Sequence, residues 1–187
     1  MKAVVMREFG PPEVMRVEEV TTPEPGPGEV LIRVHAVSVN RTLDLIVRAG
    51  AYAVPVKLPH VLGVDPSGVI EAIGPGVTTR QAGDRVATLQ FLRPPTPNSP
   101  PAILGVHGWG GYAEYVKVPA ELTVPIPEGV DFATATVVAR HAPAAFSLLR
   151  DVAQLKAGEW ILVMGAAGGL GSAGIQVEHV GPGFTTL

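Results

Sequence analysis

The chain has 187 residues, of which 47% are hydrophobic and 17% are charged, and its formal net charge is −3. This composition excludes an intrinsically disordered chain, which would be poor in apolar residues and rich in charge. The mildly acidic balance argues against a nucleic-acid-binding protein, which normally presents a basic surface. A chain of this length forms one large or two small domains.

The sequence contains no cysteine, so disulfide bonds and thiolate metal ligands are excluded. The N-terminal apolar run meets Arg7 and Glu8 too early to form a signal peptide. Charges or Pro/Gly clusters interrupt every longer apolar stretch, so no transmembrane helix and no membrane partner are expected. The expected location is the cytoplasm.

The first 125 residues have the pattern of a β-rich domain. The clearest strand covers residues 29–39, because its apolar residues alternate with polar ones such as Arg33 and His35. The apolar face consists of Val30, Ile32, Val34 and Ala36. Five more strands are predicted at 2–6, 14–20, 68–73, 85–89 and 112–118. The proline-rich stretch 93–101 predicts a loop.

Helical patterns occur at two places. Between Asn40 and Gly50 the apolar spacing predicts a short helix, with Thr42 as a candidate cap and Gly50 as its stop. Residues 131–155 predict two helices separated by Pro143. The change from strands to helices places a domain boundary within 120–157.

The apolar run 160–164 predicts a strand buried on both faces, as in a parallel α/β sheet. Glycines follow it at a spacing of three and precede a helical pattern. Glycines at such a turn allow a pyrophosphate to approach backbone N–H groups at the positive end of a helix. The alternative interpretation is a plain turn in an α/β protein. The candidate cofactor-binding residues are Gly165, Ala166, Gly168, Gly169, Leu170 and Gly171.

Several segments in a fixed order resemble one family. They are MKAVVMREFGPPEVM, PGPGEVLIRVHAVSVN, LPHVLGVDPSGVIEAIGPGV, AGDRVATL, GGYAEYVKVPA and GEWILVMGAAGGLG. The chain resembles the medium-chain dehydrogenase/reductase superfamily, in its zinc-free quinone oxidoreductase-like branch, from residue 1 to about residue 176. This resemblance implies a fold that passes from α+β to α/β. A GroES-like β-barrel domain is expected at 1–125, a helical connection at 126–157, and the first strand and helix of an incomplete Rossmann domain at 158–187.

The resemblance also implies an activity. Members of the family transfer hydride between NADPH or NADH and quinones, enones, aldehydes or alcohols. Without a metal to activate an alcohol, an electron-poor acceptor is favoured, so a small quinone or another α,β-unsaturated carbonyl compound is the expected substrate. A homo-oligomer is compatible with it. Two alternatives stay open: a non-catalytic GroES-like barrel fragment that binds a partner chain, and a zinc-free alcohol dehydrogenase-like reductase.

No zinc is expected. Zinc-dependent members place a cysteine ligand where this chain has Val39 to Thr42, and a His-Glu pair where it has Val64 and Asp65. The five histidines show no short ligand spacing. His60 lies five residues before Asp65, so a coincidental contact between these two side chains is compatible with the sequence.

The resemblance suggests Asn40 and Tyr52 as catalytic residues, because zinc-free relatives place an Asn near the nicotinamide and a Tyr in the cleft. Each has a structural alternative: Asn40 as the cap of the short helix, and Tyr52 as an aromatic at the barrel rim. Asp44 is interpreted as an acid of the first helical turn, and Asp65 as a brace for a turn. Relatives often carry Thr-Ala-Tyr where this chain has residues 144–146, Ala-Ala-Phe, so a hydroxyl near the cofactor is missing.

The resemblance fades over the last eleven residues, VEHVGPGFTTL. A group that recognises the adenosine ribose is expected about 20 residues after Gly165, but that position is Thr185. The glycines and proline of 181–183 should stop the last helix early. A truncated, frame-shifted or naturally short family member is therefore expected, with impaired activity and with the apolar residues 161–163 poorly covered.

Overall fold

The computed structural model describes the backbone of residues 1–180 and 185–186, and the side chains through residue 177. Two compact units are present, Met1–Thr136 and Val137–Leu187. Each is described here by itself. The three-part division expected from the sequence stays a prediction.

The first unit is a mixed α+β structure built on antiparallel sheets. Its strands are β1 (Lys2–Met6), β2 (Met15–Glu19), β3 (Glu29–Ala36), β4 (His60–Val61), β5 (Ser67–Ile73), β6 (Arg85–Thr88), β7 (Phe91–Arg93), β8 (Ala102–Ile103), β9 (Tyr115–Pro119) and β10 (Thr123–Pro125). One sheet has the order β10-β6-β5-β3-β9, a second has the order β2-β1-β4, and β7 pairs with β8. The strands predicted from the sequence are all present, although β3 ends at Ala36 and β9 begins at Tyr115.

The central strand β3 contributes two of the apolar side chains on which the larger sheet packs. It pairs antiparallel with β5 on one side and β9 on the other. Val30 and Ile32 are fully buried, whereas Arg33 and His35 are exposed, as the alternation predicted. These two apolar residues join a core cluster that also includes Ile70, Val86, Leu104, Val116, Val118 and Ala120.

A second core cluster lies under the short helix α1 (Arg41–Arg48). Its buried members are Met6, Val47, Leu62 and Val106. The side chain of Asn40, not Thr42, caps α1, since Asn40 Oδ1 accepts a hydrogen bond from Leu43 N–H at 3.3 Å. The prediction of Thr42 as the cap was therefore wrong, because Thr42 already lies inside the helix. Gly50, with a φ of +71°, follows the end of the helix as predicted.

The proline-rich residues 93–101 form an irregular connection between β7 and β8, as predicted. Thr96 and Ser99 form an isolated antiparallel bridge within it.

Residues 131–155 differ from the prediction. Pro143 lies inside a single helix, α2 (Phe132–Ser147), and does not divide it. A proline removes one backbone donor but keeps a helical φ, so a helix with other hydrogen bonds can continue through it. A π-helical turn, Leu148–Val152, follows directly.

The predicted doubly buried strand at 160–164 is also wrong. Only Trp160–Ile161 is a strand, β11, and within the described backbone it pairs in parallel with β12 (Thr185–Thr186) alone. Trp160, Leu162 and Met164 are 63%, 74% and 82% exposed, so this segment is not covered on both faces as a strand between two layers of helices would be. The sequence analysis expected residues 161–163 to be poorly covered. This holds for Leu162, which is exposed, whereas Ile161 and Val163 are half-buried.

The last helix, α3 (Gly169–Val180), begins within the glycine-rich segment. The helix reaches Val180. Residues 181–183, which the sequence predicted to stop it early, lie outside the described residues. No helix among residues 1–180 is both long and apolar enough to cross a membrane.

Candidate functional site

In the first unit, a buried carboxylate holds the loop that leads from β3 to α1. Asp65 accepts two hydrogen bonds from Ser38, one from the backbone N–H at 3.0 Å and one from Oγ at 2.5 Å. Both carboxylate oxygens of Asp65 are thus used to fix the loop. This geometry matches the interpretation of Asp65 as a brace for a turn.

A second buried carboxylate fixes the end of the same loop. Asp44 Oδ2 accepts hydrogen bonds from the Asn40 backbone N–H at 2.8 Å and from the Tyr112 hydroxyl at 2.5 Å. The Tyr112 hydroxyl also lies 3.2 Å from the carbonyl oxygen of Ser38. Asp44 is buried, so it contributes more than a first-turn charge on the helix surface.

The hydroxyl of Tyr112 stays protonated in this environment. Burial raises the pKa of Tyr112 most strongly, and the hydrogen bond and the charge of Asp44 raise the pKa further. Tyr112 therefore acts as a hydrogen-bond donor to Asp44 over the ordinary pH range. The sequence analysis did not single out this residue, although it lies in the segment GGYAEYVKVPA that carries the resemblance.

Asn40 lies half-buried at the end of this braced loop. Its Oδ1 atom caps α1, so the structural alternative weighed for this residue applies. The cap uses only Oδ1, which leaves the two N–H donors of Nδ2 for another partner.

Tyr52 lies after the end of α1 and is half-buried. It packs against the cluster of Met6, Val47, Leu62 and Val106, which agrees with an aromatic at the rim of the sheet structure. Tyr52 also lines a pocket of about 320 Å³ together with Phe9 and residues 53–56. Among the described side chains, no hydrogen bond joins Tyr52 to Asn40.

His60 and Asp65 have separate partners, so the chance contact considered from the sequence does not define a site. His60 is buried and its Nε2 lies 2.9 Å from the carbonyl oxygen of Gly105. Burial is the main cause that lowers the pKa of His60 below 6.5. Within residues 1–177 the structure contains no group of three or more His, Asp or Glu side chains suited to a metal ion.

In the second unit, the glycine-rich segment forms a tight turn that opens α3. Gly165 has a φ of +68°, and the Gly168 N–H donates to its carbonyl oxygen at 2.9 Å. A Cβ at Gly171 would lie 2.4 Å from the same carbonyl oxygen, so only glycine fits there. The first intrahelical bond runs from Ser172 N–H to Gly168 O at 2.8 Å. The remaining candidates, Ala166, Gly169 and Leu170, are exposed beside this turn.

A side chain that the sequence analysis did not consider lies against this turn. The imidazole of His141 on α2 lies so close to Gly169 that a Cβ there would be 2.6 Å from Nε2. A pocket of about 340 Å³ continues from these residues between α2 and α3, lined by Val138, Phe146, Ser172 and Gln176 among others. No sequence spacing indicated this contact. The side chain of Thr185, the expected ribose position, lies outside the described residues.

Comparisons with known proteins agree over most of the chain. Residues 26–128 match the family described as the alcohol dehydrogenase GroES-like domain. Over 180 aligned residues the chain is 35% identical to the quinone oxidoreductase of Sus scrofa. The aligned region covers 96% of this chain and 50% of that protein. The chain spans about half the length of the curated relatives it matches.

Two solved structures extend this similarity to three dimensions. A structure described as an NAD-dependent alcohol dehydrogenase has a TM-score of 0.91 at 37% identity, covering 100% of this chain and 57% of that chain. A mycobacterial protein solved in complex with NADPH has a TM-score of 0.78 at 33% identity, covering 100% of this chain and 52% of that chain.

Proposed function

Because the chain belongs to the alcohol dehydrogenase GroES-like domain family, within the medium-chain dehydrogenase/reductase superfamily, we propose that it is an NAD(P)H-dependent oxidoreductase of the quinone oxidoreductase type. Its proposed substrates are quinones or α,β-unsaturated carbonyl compounds. The observation that carries this proposal is the 35% identity to quinone oxidoreductase along 96% of the chain.

The glycine-rich turn of the second unit fits a dinucleotide. Gly171 leaves no room for a Cβ beside Gly165, so the backbone is bare where a pyrophosphate would approach. The first turn of α3 presents N–H groups that have no partner within the helix, and the helix dipole favours an anion at this end. The cofactor-binding residues proposed here are Gly165, Ala166, Gly168, Gly169, Leu170 and Gly171.

NADPH or NADH, when bound, supplies the hydride. The residues of the first unit supply orientation. Asp44, Asp65 and Tyr112 fix the loop that carries Asn40, so its Nδ2 group is a positioned donor. A fixed donor stabilises negative charge on an acceptor oxygen better than a mobile one does, because it needs no reorganisation during the reaction. Asn40 and Tyr52 are the proposed catalytic residues.

The side chains at the positions of the metal ligands favour an electron-poor hydride acceptor as the substrate over an alcohol that a metal ion would activate. Val64 and Asp65 stand where zinc-dependent relatives have a His-Glu pair, and the sequence contains no cysteine. Hydride addition to a conjugated carbonyl needs hydrogen-bond donors for the developing oxyanion, which Asn40 provides.

A second candidate function is a non-catalytic module that binds a partner chain. The observation in its favour is the exposure of Trp160, Leu162 and Met164 in the second unit. Contiguous apolar residues left exposed are typical of interaction surfaces. This candidate predicts association without cofactor binding.

A fluorescence titration with NADPH, repeated with NADH, tests the proposed function. The native chain is expected to bind one of them saturably. Gly171→Ala should weaken binding by at least about tenfold, since its Cβ meets Gly165 O. Gly174→Ala is the matched control, because its Cβ meets nothing within 4 Å. Equal binding by both variants, or no binding by the native chain, would contradict the proposal.

A further inference from the structure

A pocket of about 350 Å³ in the first unit shares no lining residue with the loop that carries Asn40 or with the pocket beside Tyr52. It lies where the start of β3 and the strand β9 meet the connections next to β7 and β8. Its surface is mostly apolar, and its volume falls in the range typical of small-molecule sites. The lining side chains that define its chemistry are Glu29, Leu92, Trp109, Tyr115 and Lys117.

The aromatic wall of this pocket is held in place. Trp109 Nε1–H donates to Pro59 O at 2.9 Å, which fixes the orientation of the indole, and 38% of Trp109 stays exposed. The Gly110 N–H donates to Val61 O at 2.8 Å, so the chain next to Trp109 is tied to β4. A preformed wall lowers the entropy cost of binding. Trp109 and the half-buried Tyr115 therefore offer two rings on which a planar ligand can stack.

An ion pair forms the polar edge of the pocket. Lys117 Nζ donates to Glu29 Oε2 at 2.8 Å, and the Gly26 N–H donates to the same oxygen at 2.8 Å. Among the described residues, Glu29 Oε1 accepts no hydrogen bond and Lys117 donates only this one. An ammonium group has three donors, so two remain. The edge thus presents hydrogen-bond donors beside a carboxylate acceptor, with a net charge of about zero.

This edge defines the ligand. A neutral ligand is favoured, because the charges of Glu29 and Lys117 already compensate each other and a further charge would lose hydration without a counter-charge. The ligand needs a carbonyl oxygen that accepts from Lys117 Nζ and an adjacent N–H that donates to Glu29 Oε1. A planar ring with a lactam edge provides both groups.

The size of the pocket selects among such rings. A cavity of about 150 Å³ accommodates benzene, so about 350 Å³ accommodates two fused rings. Among the purine bases, hypoxanthine and guanine carry the required carbonyl next to an N–H. Adenine carries an amino donor at that position and so presents the reverse pattern.

We propose that the pocket between Trp109, Tyr115 and the Glu29–Lys117 ion pair binds the base of a 6-oxopurine nucleoside. The exposed side chains of Trp109 and Lys117 leave room for the attached sugar to extend into solvent. The site is independent of the proposed oxidoreductase activity, because neither Asn40, Tyr52 nor the glycine-rich turn lines it.

The test is a titration of the full chain with inosine, followed by tryptophan fluorescence. The chain has two tryptophans, so Trp160→Phe leaves Trp109 as the only indole. Inosine is expected to quench this fluorescence saturably, and adenosine should bind at least about tenfold more weakly. In the same background, Lys117→Met removes the donors and should raise the Kd for inosine at least about tenfold. Lys57→Met, at an exposed lysine that does not line the pocket, is the matched control and should change the Kd by less than about twofold.

A dispersed NMR spectrum shows that each variant is folded, and amide shifts locate the ligand. The proposal predicts shifts at residues 108–110 and 115–117 that NADPH does not reverse. It is overturned if the folded chain does not bind inosine, if inosine and adenosine bind equally, or if Lys117→Met binds inosine as its parent does. Displacement of inosine by NADPH would place it at the dinucleotide site and would overturn the proposal as well.

Discussion

The hydroxyl of Tyr112 lies 2.5 Å from Oδ2 of Asp44, although the two residues are 68 positions apart in sequence. The same carboxylate oxygen accepts the backbone N–H of Asn40. This contact ties the chain just before β9 to the first turn of α1. It fixes the loop on which the proposed catalytic Asn40 lies.

Tyr112→Phe is expected to lower the free energy of unfolding by about 1–3 kcal/mol, because the buried carboxylate of Asp44 loses a donor. Chemical denaturation measures this loss. Tyr115→Phe is the matched control, since no hydrogen bond of its hydroxyl occurs among the described side chains; its effect should stay within about 0.5 kcal/mol. Equal effects of the two substitutions would show that the Tyr112 contact contributes little.

The stability of the protein should fall as the pH is lowered below about 6.5, in part through His60. Burial lowers the pKa of His60 in the folded state, so the unfolded chain binds more protons in this range and is favoured at acidic pH. Well above pH 6.5, both states hold the neutral imidazole and the effect vanishes.

Thermal or urea denaturation between about pH 7 and pH 5 measures this slope. His60→Gln keeps a donor for Gly105 O but cannot titrate, so its slope should be smaller than that of the native chain. An unchanged slope in His60→Gln would disprove the contribution of His60.

Gly68→Ala is expected to destabilise the first unit by about 3 kcal/mol or more, because its Cβ would lie 2.0 Å from Arg33 O across the β3–β5 pair. Gly26→Ala is the control, since its Cβ meets only the end of the Glu29 side chain, at 3.1 Å. The midpoint of urea unfolding compares the two. A similar midpoint for both variants would show that the β3–β5 pair accommodates the added methyl group at little cost in stability.

Ser67→Ala should loosen the start of α2. The Ser67 hydroxyl donates to Phe132 O at 2.8 Å and accepts from Thr136 Oγ1 at 2.7 Å. Loss of this buried group should cost about 1–3 kcal/mol and should accelerate amide exchange at residues 132–136. Ser99→Ala, at the exposed proline-rich connection, should leave this exchange unchanged. Unchanged exchange in Ser67→Ala would contradict an anchoring role.

Local patterns in the sequence were sufficient for most of the first unit. The alternation along β3 predicted the burial of Val30 and Ile32 and the exposure of Arg33 and His35, although it did not predict that Leu31 is also buried. The GroES-like domain implied by the resemblance is confirmed. The cap of α1 was less certain from sequence, because Asn40 and Thr42 are both cap-forming residues. The choice between them depends on where the backbone enters the helix.

Other features depend on neighbours that are distant in sequence. The contact between Tyr112 and Asp44 has no local signal, and neither has the packing of His141 on Gly169. The apolar run 160–164 predicted burial, but burial of both faces needs other elements packed on each side of the sheet, and Trp160, Leu162 and Met164 are exposed. Pro143 likewise indicated a break that the helix does not make.

The most direct test of the proposed function follows the hydride itself. The chain is incubated with an α,β-unsaturated ketone and NADPH, or NADH, deuterated at the hydride-donating carbon, and the product is analysed by mass spectrometry. The account predicts a saturated ketone that carries one deuterium on carbon, formed more slowly by Gly171→Ala than by Gly174→Ala. A chain that yields no labelled product with either cofactor would contradict the account.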